Sequence, residues 1–557
     1  MGIPTLAILS RSSLYLENNM RRVLKNSLLF FDAPQADILS AGFLIMFLSV
    51  ITGIFGLVRD RLLATHFTPD LVGVYFAAFV IPENIFQILV LSAVGAAFIP
   101  VFTKYQREGQ QWEFATALFR ISLLLFATIS ILVGIFIEPL SKVFVPGIQK
   151  ETPGHIALFV NLTRLILFSQ LFFLFSYFCT GILQSYQRFL MPALASSLYN
   201  LGIIVGILLL APTFGMYGVV LGIIGGAFLH LLIQLPFAVK LGFSYRPHVP
   251  LFHPGIAELG KLMAPRVLSV AIERLKFTVD TALASLIFVS SITFLNYASH
   301  VAIYPVSLFA AAIGQAALPF LAKAANEGNM EDFKKHTMLS LTHIAFFLAP
   351  TSVLLIILHT PIVRLIFGTP KFDWEATFLT GMTLAFLALG LFAQGASTIL
   401  ARAFYALLDT KTPLVMTIIS QVTTILLSVF FVIVLKLPVW SLGLSTTIGI
   451  SINAFLLFVL LDKKVGRFPR FSLFKSLAKI FFISALLAIF SYTLFKVLER
   501  FFNTDYGLPL LIFTITIALA SGAFYLFLSF IFNLEEYKAI FLFFKKAASV
   551  RQRVFGR

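Results

Sequence analysis

The sequence predicts an all-α polytopic membrane protein with fourteen transmembrane helices, arranged as two pseudo-symmetric six-helix lobes followed by two further helices. Three observations carry that expectation. Hydrophobic residues make up 59% of the 557 and charged residues only 12%, whereas a soluble domain runs about 45–50% apolar and about 25% charged. The mean hydropathy is +0.97, and Phe occurs 64 times, more than one aqueous core can bury. Fourteen stretches reach the roughly 20 mostly apolar residues that cross about 30 Å of hydrocarbon. A soluble enzyme, a disordered scaffold and a secreted disulfide framework are thereby excluded, and the single Cys179 has no intrachain partner.

Residues 1–37 hold a short apolar run from Ile3 to Leu9, then Arg11, Arg21, Arg22 and Lys25. No small-residue cleavage site follows, so the segment reads as a cytoplasmic extension rather than a removable signal. The spans fall near 38–58, 71–100, 114–138, 156–183, 189–211 and 216–239, forming an N-lobe over 38–240. Those near 262–288, 292–321, 338–358, 376–400, 413–435 and 441–461 form a C-lobe over 241–461. Residues 462–535 carry the last two, near 476–495 and 508–532, and 536–557 form a basic cytoplasmic tail. Turn chemistry marks the breaks, as at Pro212-Thr213-Phe214-Gly215 and Lys436-Leu437-Pro438.

The net charge is +17. With both termini in the cytoplasm, 26 of the 41 Lys and Arg lie in cytoplasmic segments, 9 in the opposite loops and 6 inside spans. That bias is the positive-inside pattern, and it accounts for the basic pI without nucleic acid.

An internal repeat is visible. Ala93-Val94-Gly95-Ala96-Ala97-Phe98-Ile99-Pro100 is echoed by Ala312-Ile313-Gly314-Gln315-Ala316-Ala317-Leu318-Pro319, and Pro192 by Pro413. Spans 1–6 thus match spans 7–12 in the same orientation. Parallel repeats of this kind form two lobes that commonly enclose a central cavity and rock between inward-open and outward-open states.

The seventh span carries charges that lipid would not tolerate. Arg266, Ser269, Glu273, Lys276 and Asp280 follow at spacings of 3, 4, 3 and 4, which puts them on one helical face, flanked by Arg274 and Thr281. A charge at the bilayer centre costs at least about 2.5–3.5 kcal/mol on insertion scales, so this face lines water or another polar helix. The plainer alternative is a buried network holding the lobes together. Arg59-Asp60-Arg61 ends the first span, either as a snorkelling cluster or as part of the polar cavity. His300, early in span 8, is either a packing residue or a cavity group. Arg120 and Arg164 are assigned to lobe packing. No P-loop, metal-spaced Cys/His set or GxSxG is present, so the chain is not read as an enzyme.

Gly53-Ile54-Phe55-Gly56-Leu57-Val58-Arg59-Asp60 resembles the first-span signature of the MurJ (MviN) family of lipid II flippases, relatives of the multidrug and oligosaccharide-lipid exporters. Ala78-Phe79-Val80-Ile81-Pro82 is similar to the family's second span, and Asn296-Tyr297-Ala298 with Pro305 to its eighth. The most specific string is Ala401-Arg402-Ala403-Phe404-Tyr405-Ala406-Leu407-Leu408-Asp409-Thr410-Lys411-Thr412-Pro413, which resembles the family's pattern before span 11.

The resemblance implies an undecaprenyl-diphosphate-linked disaccharide pentapeptide, lipid II, moved from the cytoplasmic to the periplasmic leaflet of the bacterial inner membrane. It would move by alternating access through a cationic cavity, with coupling to sodium or to membrane potential and no other cofactor. Arg59 and Asp60 carry over directly; Arg266, Glu273, Arg274, Lys276 and His300 complete the expected substrate set. Asp280 matches an acidic residue that in some members helps hold sodium, with Thr424 and Ser428 as its partners. Membrane lipids and the peptidoglycan-synthesis machinery are the other partners implied; nucleic acid is not one. The family usually has charges where this chain has Gly53, Gly73, Phe86, Leu91 and Ser299-His300. A different polyprenyl-linked or amphipathic cargo, or a non-transporting scaffold, are the alternatives those departures leave.

Overall fold

The computed structural model describes residues 38–92, 98–148, 153–246, 248–251, 253–502 and 507–537. The extension over 1–37, the tail after 537, and Ala93–Ala97 of the repeat lie outside them. Among the described residues the structure is helical, with one isolated antiparallel bridge between Thr369 and Phe372 and no strand. Between their ends helices satisfy the backbone donors and acceptors internally, which hydrocarbon demands.

In chain order the main helices are α1 Ile38–His66, α2 Pro69–Phe86, α3 Phe98–Arg107, α4 Gln111–Phe144, α5 Pro153–Ser185, α6 Leu190–Val205 and α7 Met216–Lys240. Then come α8 Pro254–Ile287, α9 Val289–Pro305, α10 Ala311–Asn326, α11 Met330–Ile357, α12 His359–Phe367, α13 Trp374–Ala388 and α14 Leu391–Ala406. Last are α15 Lys411–Val429, α16 Trp440–Lys464, α17 Arg470–Leu498 and α18 Gly507–Ile531. Eleven of the described helical segments are long and apolar enough to cross a membrane, and α13 with α14, bent by 42°, makes a twelfth. Neither α1 nor α8 is among them; α8 carries the charged stripe.

Several boundaries differ from expectation; α8 and α11, for example, begin at Pro254 and Met330, ahead of the expected 262 and 338. The first span was expected to stop at 58, but α1 continues through Arg59-Asp60-Arg61 to His66. Those side chains find partners inside the protein, so their charge does not end the helix. The second stretch, expected as one span to 100, runs as α2 into a π-turn over Gln87–Leu91, and α3 is described from Phe98, with Ala93–Ala97 between them outside the described residues. A second π-turn follows α9 at Val306–Ala310. Gln87 and Val306, which open the two turns, are 219 residues apart, the same offset as the repeated strings. Another pair follows α6 and α15, at Gly206–Leu210 and Phe430–Val434. One extra residue per turn widens a helix locally, often at functional sites.

The chain divides into two compact units interleaved in sequence. Of the described residues, the first contains those up to Arg59 and those within Ile81–Ile135 and Leu162–Val267. Its helices α6 and α7 pack backbone to backbone: a Cβ on Gly202 would lie 2.4 Å from the Gly226 Cα. This is the small-residue approach that lipid-embedded helices use in place of hydrophobic driving force. An aromatic cluster of Phe98, Phe102, Trp112, Phe114 and Phe178 fills its core. The second unit contains the described residues within Asp60–Val80 and Phe136–Asn161 and from Leu268 on. There α11 packs on α17, and α16 against α13, α14 and α15.

Candidate functional site

The triplet at Arg59 separates into three environments. Arg59, half-buried in the first unit, donates from Nη1 to Asn200 Oδ1 at 3.1 Å. Asp60 belongs to the second unit, where its side chain is 1% exposed and Oδ2 lies 2.7 Å from His300 Nδ1. Aromatic packing fixes that pair. Tyr297 stacks on Phe367 with centroids 4.2 Å apart and donates its hydroxyl to the Asp60 carbonyl at 3.1 Å. Phe76 meets both Tyr297 and His300 edge-on. Arg61 donates to the carbonyls of Leu365, Ile366 and Gly368 at 3.2, 3.1 and 3.0 Å. It thus caps the C-terminal end of α12, where a cation complements the helix dipole. Arg120 and Arg164 bind the backbone of Val249 and Gly134.

The α8 stripe is graded in burial. Arg266, in the first unit, and Glu273, in the second, are exposed; Ser269, Arg274 and Lys276 are half-buried; Asp280 is buried. Leu268 and Leu275 lie exposed elsewhere around the same helix. Arg274 sits over the Phe277 ring at 5.9 Å. Lys276 reaches Asp280 Oδ2 at 2.7 Å and donates to Thr446 Oγ1 at 2.9 Å. Ser428 donates to the other Asp280 oxygen at 3.1 Å and lies 2.7 Å from the Ser445 hydroxyl. Thr424, expected beside Asp280, bonds its own helix instead, donating to the Ser420 carbonyl at 2.9 Å. Both Asp280 oxygens therefore have a protein donor, one of them cationic. A sodium ion does not fit beside this carboxylate while the Lys276 ammonium holds it. Among the described residues no group of three or more His, Cys, Asp or Glu could ligate a metal.

A cavity of about 260 Å³ adjoins Lys276, lined also by Ser299, Gln394, Ser420, Gln421, Thr424 and Thr446. Sequence reasoning missed Thr446 and Ser445, which belong to a run of hydroxyls, Ser445-Thr446-Thr447, early in α16. It also missed a polar interior in the first unit. There Ser176 Oγ lies 2.6 Å from His230 Nδ1, Gln234 donates to Ser176 at 2.8 Å, and Thr180 donates to Gln234 Oε1 at 2.7 Å. A cavity of about 200 Å³ beside it is lined by Glu83, Gln87, Gln170, Asn200 and His230. The signal was available as His230 and Gln234 at i and i+4 in an otherwise apolar span. The loss of the family's charge at Gly73 also has a physical reason: a Cβ there would meet the Val289 carbonyl oxygen at 2.3 Å.

These features define a multi-pass helical membrane protein with polar, charge-bearing interiors. Its fold is shared with a multidrug resistance MATE family transporter of the MOP superfamily in an inward-facing conformation. The TM-score is 0.63 at 16% identity, over 76% of this chain and 96% of that one. It is closer to a structure described as lipid II flippase MurJ, inward closed conformation. There the TM-score is 0.74 at 25% identity, over 88% of this chain and 98% of that one. The sequence profile of the family described as lipid II flippase MurJ matches residues 63–529, and the chain belongs to that family. It is 26% identical to the lipid II flippase MurJ of Burkholderia cenocepacia over 425 residues, 75% of this chain and 82% of that protein. It is likewise 26% identical to a probable lipid II flippase MurJ of Bdellovibrio bacteriovorus over 513 residues, covering 91% and 97%.

Proposed function

We propose that this chain is a flippase that carries lipid II from the cytoplasmic to the periplasmic leaflet of the bacterial inner membrane by alternating access. The observation that carries the reading is the family match, which runs across nearly all of the described chain. The fourteen-span reading adds α1 and α8 to the twelve apolar segments, places both termini in the cytoplasm, and makes two six-helix lobes of 38–240 and 241–461. A diphosphate must leave water to cross, and only fixed cations and donors offset that desolvation. Arg59, Arg266, Arg274, Lys276 and His300 supply them, with Asp60 holding His300 and Asp280 holding Lys276. Glu273 is the remaining acid of the set. Outward movement of each net negative charge across a potential negative inside is favoured by about 2.3 kcal/mol per 100 mV, so the potential drives transport. Membrane lipids and the peptidoglycan-synthesis machinery are its partners.

Depletion in the native host, read with a leaflet-specific assay for lipid II, tests this. The expected result is lipid II accumulating in the inner leaflet and returning outward on re-expression. An unchanged distribution together with lost drug resistance would instead make the chain a drug exporter.

A further inference from the structure

The buried acid of the second unit has a lysine of its own helix where a free ion would stand. Lys276 and Asp280 are one turn apart on α8, with Nζ and Oδ2 at 2.7 Å. Asp280 is 4% exposed at the side chain and Lys276 20%. Around them are the hydroxyls of Ser428 and Ser445, both fully buried, and of Thr446. A carboxylate this deep needs a counter-charge, and the ammonium is the cation bonded to it. We infer that Lys276 is a built-in cation: its ammonium holds the place beside Asp280 that a mobile alkali ion would take. The wild-type chain accordingly binds no such ion there, and removing the ammonium opens a site for one.

Charge and ligand chemistry both support this. With Lys276 present the pair is neutral, and a second cation within bonding distance of Asp280 would meet a like charge in a low-dielectric interior. With Lys276 shortened, one carboxylate and three hydroxyls remain. That is an all-oxygen set, suited to a hard cation, and its single negative charge matches a monovalent ion rather than a divalent one. Ser428 and Ser445 stay in place, because Ser428 bonds Asp280 from α15 and Ser445 also donates to the Leu442 carbonyl at 2.9 Å. The inference does not depend on which lipid is carried.

The test is thermal unfolding of the purified full chain in sodium chloride against choline chloride at equal ionic strength. The wild type is expected to unfold at the same temperature in both. Lys276→Met is expected to gain a saturable, sodium-specific rise of a few degrees, which a second substitution, Asp280→Asn, removes. Should Lys276→Met not fold, Lys276→Cys replaces it, measured before and after aminoethyl methanethiosulfonate restores an ammonium; Cys179 is buried. Sodium stabilisation before modification and its loss afterwards support the inference. A saturable sodium effect on the wild type overturns it, as does a folded variant lacking the ammonium that shows no sodium response.

Discussion

Arg59 and Arg61 are two residues apart and do different work. Arg59 donates from Nη1 to Asn200 at 3.1 Å and is half-buried; the proposed function gives it a substrate role. Arg59→Ala should abolish complementation of a depleted host at normal protein level. Arg59→Lys should recover part of it, since an ammonium keeps the charge and loses the guanidinium fork. Normal growth of the alanine strain would remove Arg59 from the substrate set. Arg61 instead gives its guanidinium to three backbone carbonyls. Bonds to charged groups contribute about 1.5–3 kcal/mol each when lost. Arg61→Gln should therefore lower the unfolding temperature and the amount of protein, while each surviving molecule transports normally. A transport defect at full stability would refute the capping role. The sequence presented these two arginines and Asp60 as one cluster. Their partners lie 141 residues away for Arg59, 240 for Asp60 and 304 to 307 for Arg61, a separation that local spacing does not encode. The Lys276–Asp280 pair was legible, because i and i+4 on one helix fix the neighbours.

The most specific family string turns out to be an element boundary. Leu408 adopts a left-handed backbone with φ 56°, which ends α14. Asp409 then caps the start of α15, accepting from the Thr412 backbone at 3.0 Å and its hydroxyl at 2.7 Å, and pairs with Lys464 on α16. Burial alone would raise its carboxyl; the Lys464 ammonium and the Thr412 bonds outweigh that and hold it at about 2. A carboxyl depressed in the fold stabilises above its unfolded value near 3.9, and that contribution is lost as pH falls from about 4 towards 2. Asp409→Ala should cost about 1 kcal/mol of stability near neutrality, and its unfolding temperature should fall less steeply with acid than that of the wild type. Parallel acid slopes would refute the pairing. Helix existence was legible throughout, since apolar runs of span length leave few alternatives in lipid. The bend between α13 and α14 was not, and neither were the π-turns: each alters one turn without altering composition.

Between the twelve spans that apolarity secures and the fourteen proposed, the difference is whether α1 and α8 cross the membrane. Terminal reporters alone do not decide this, because twelve and fourteen are both even and place residues 20 and 550 on the same side. Internal loops break the tie. If α1 crosses, the loop at Tyr245 follows six spans and is cytoplasmic with the N-terminus; if it does not, that loop is periplasmic. If α8 also crosses, the turn at Gly328 follows eight spans and is again cytoplasmic. The charges favour both: Lys240, Arg246 and Lys261 flank the first loop, and Lys323, Lys334 and Lys335 flank the second, which is where short loops hold basic residues when they stay inside. For α8 the Lys276–Asp280 part of the stripe is no obstacle to crossing, because the two pair with each other and are covered by Ser428, Ser445 and Thr446, whereas the exposed Arg266 and Glu273 require that their face meet water rather than lipid. Reporters at residues 20, 245, 328 and 550 should all read cytoplasmic, and one at Lys436 periplasmic. A periplasmic signal at 245 would take α1 out of the membrane. A cytoplasmic signal at 245 with a periplasmic one at 328 would take out α8, and with it the placement of the Lys276–Asp280 pair inside the bilayer.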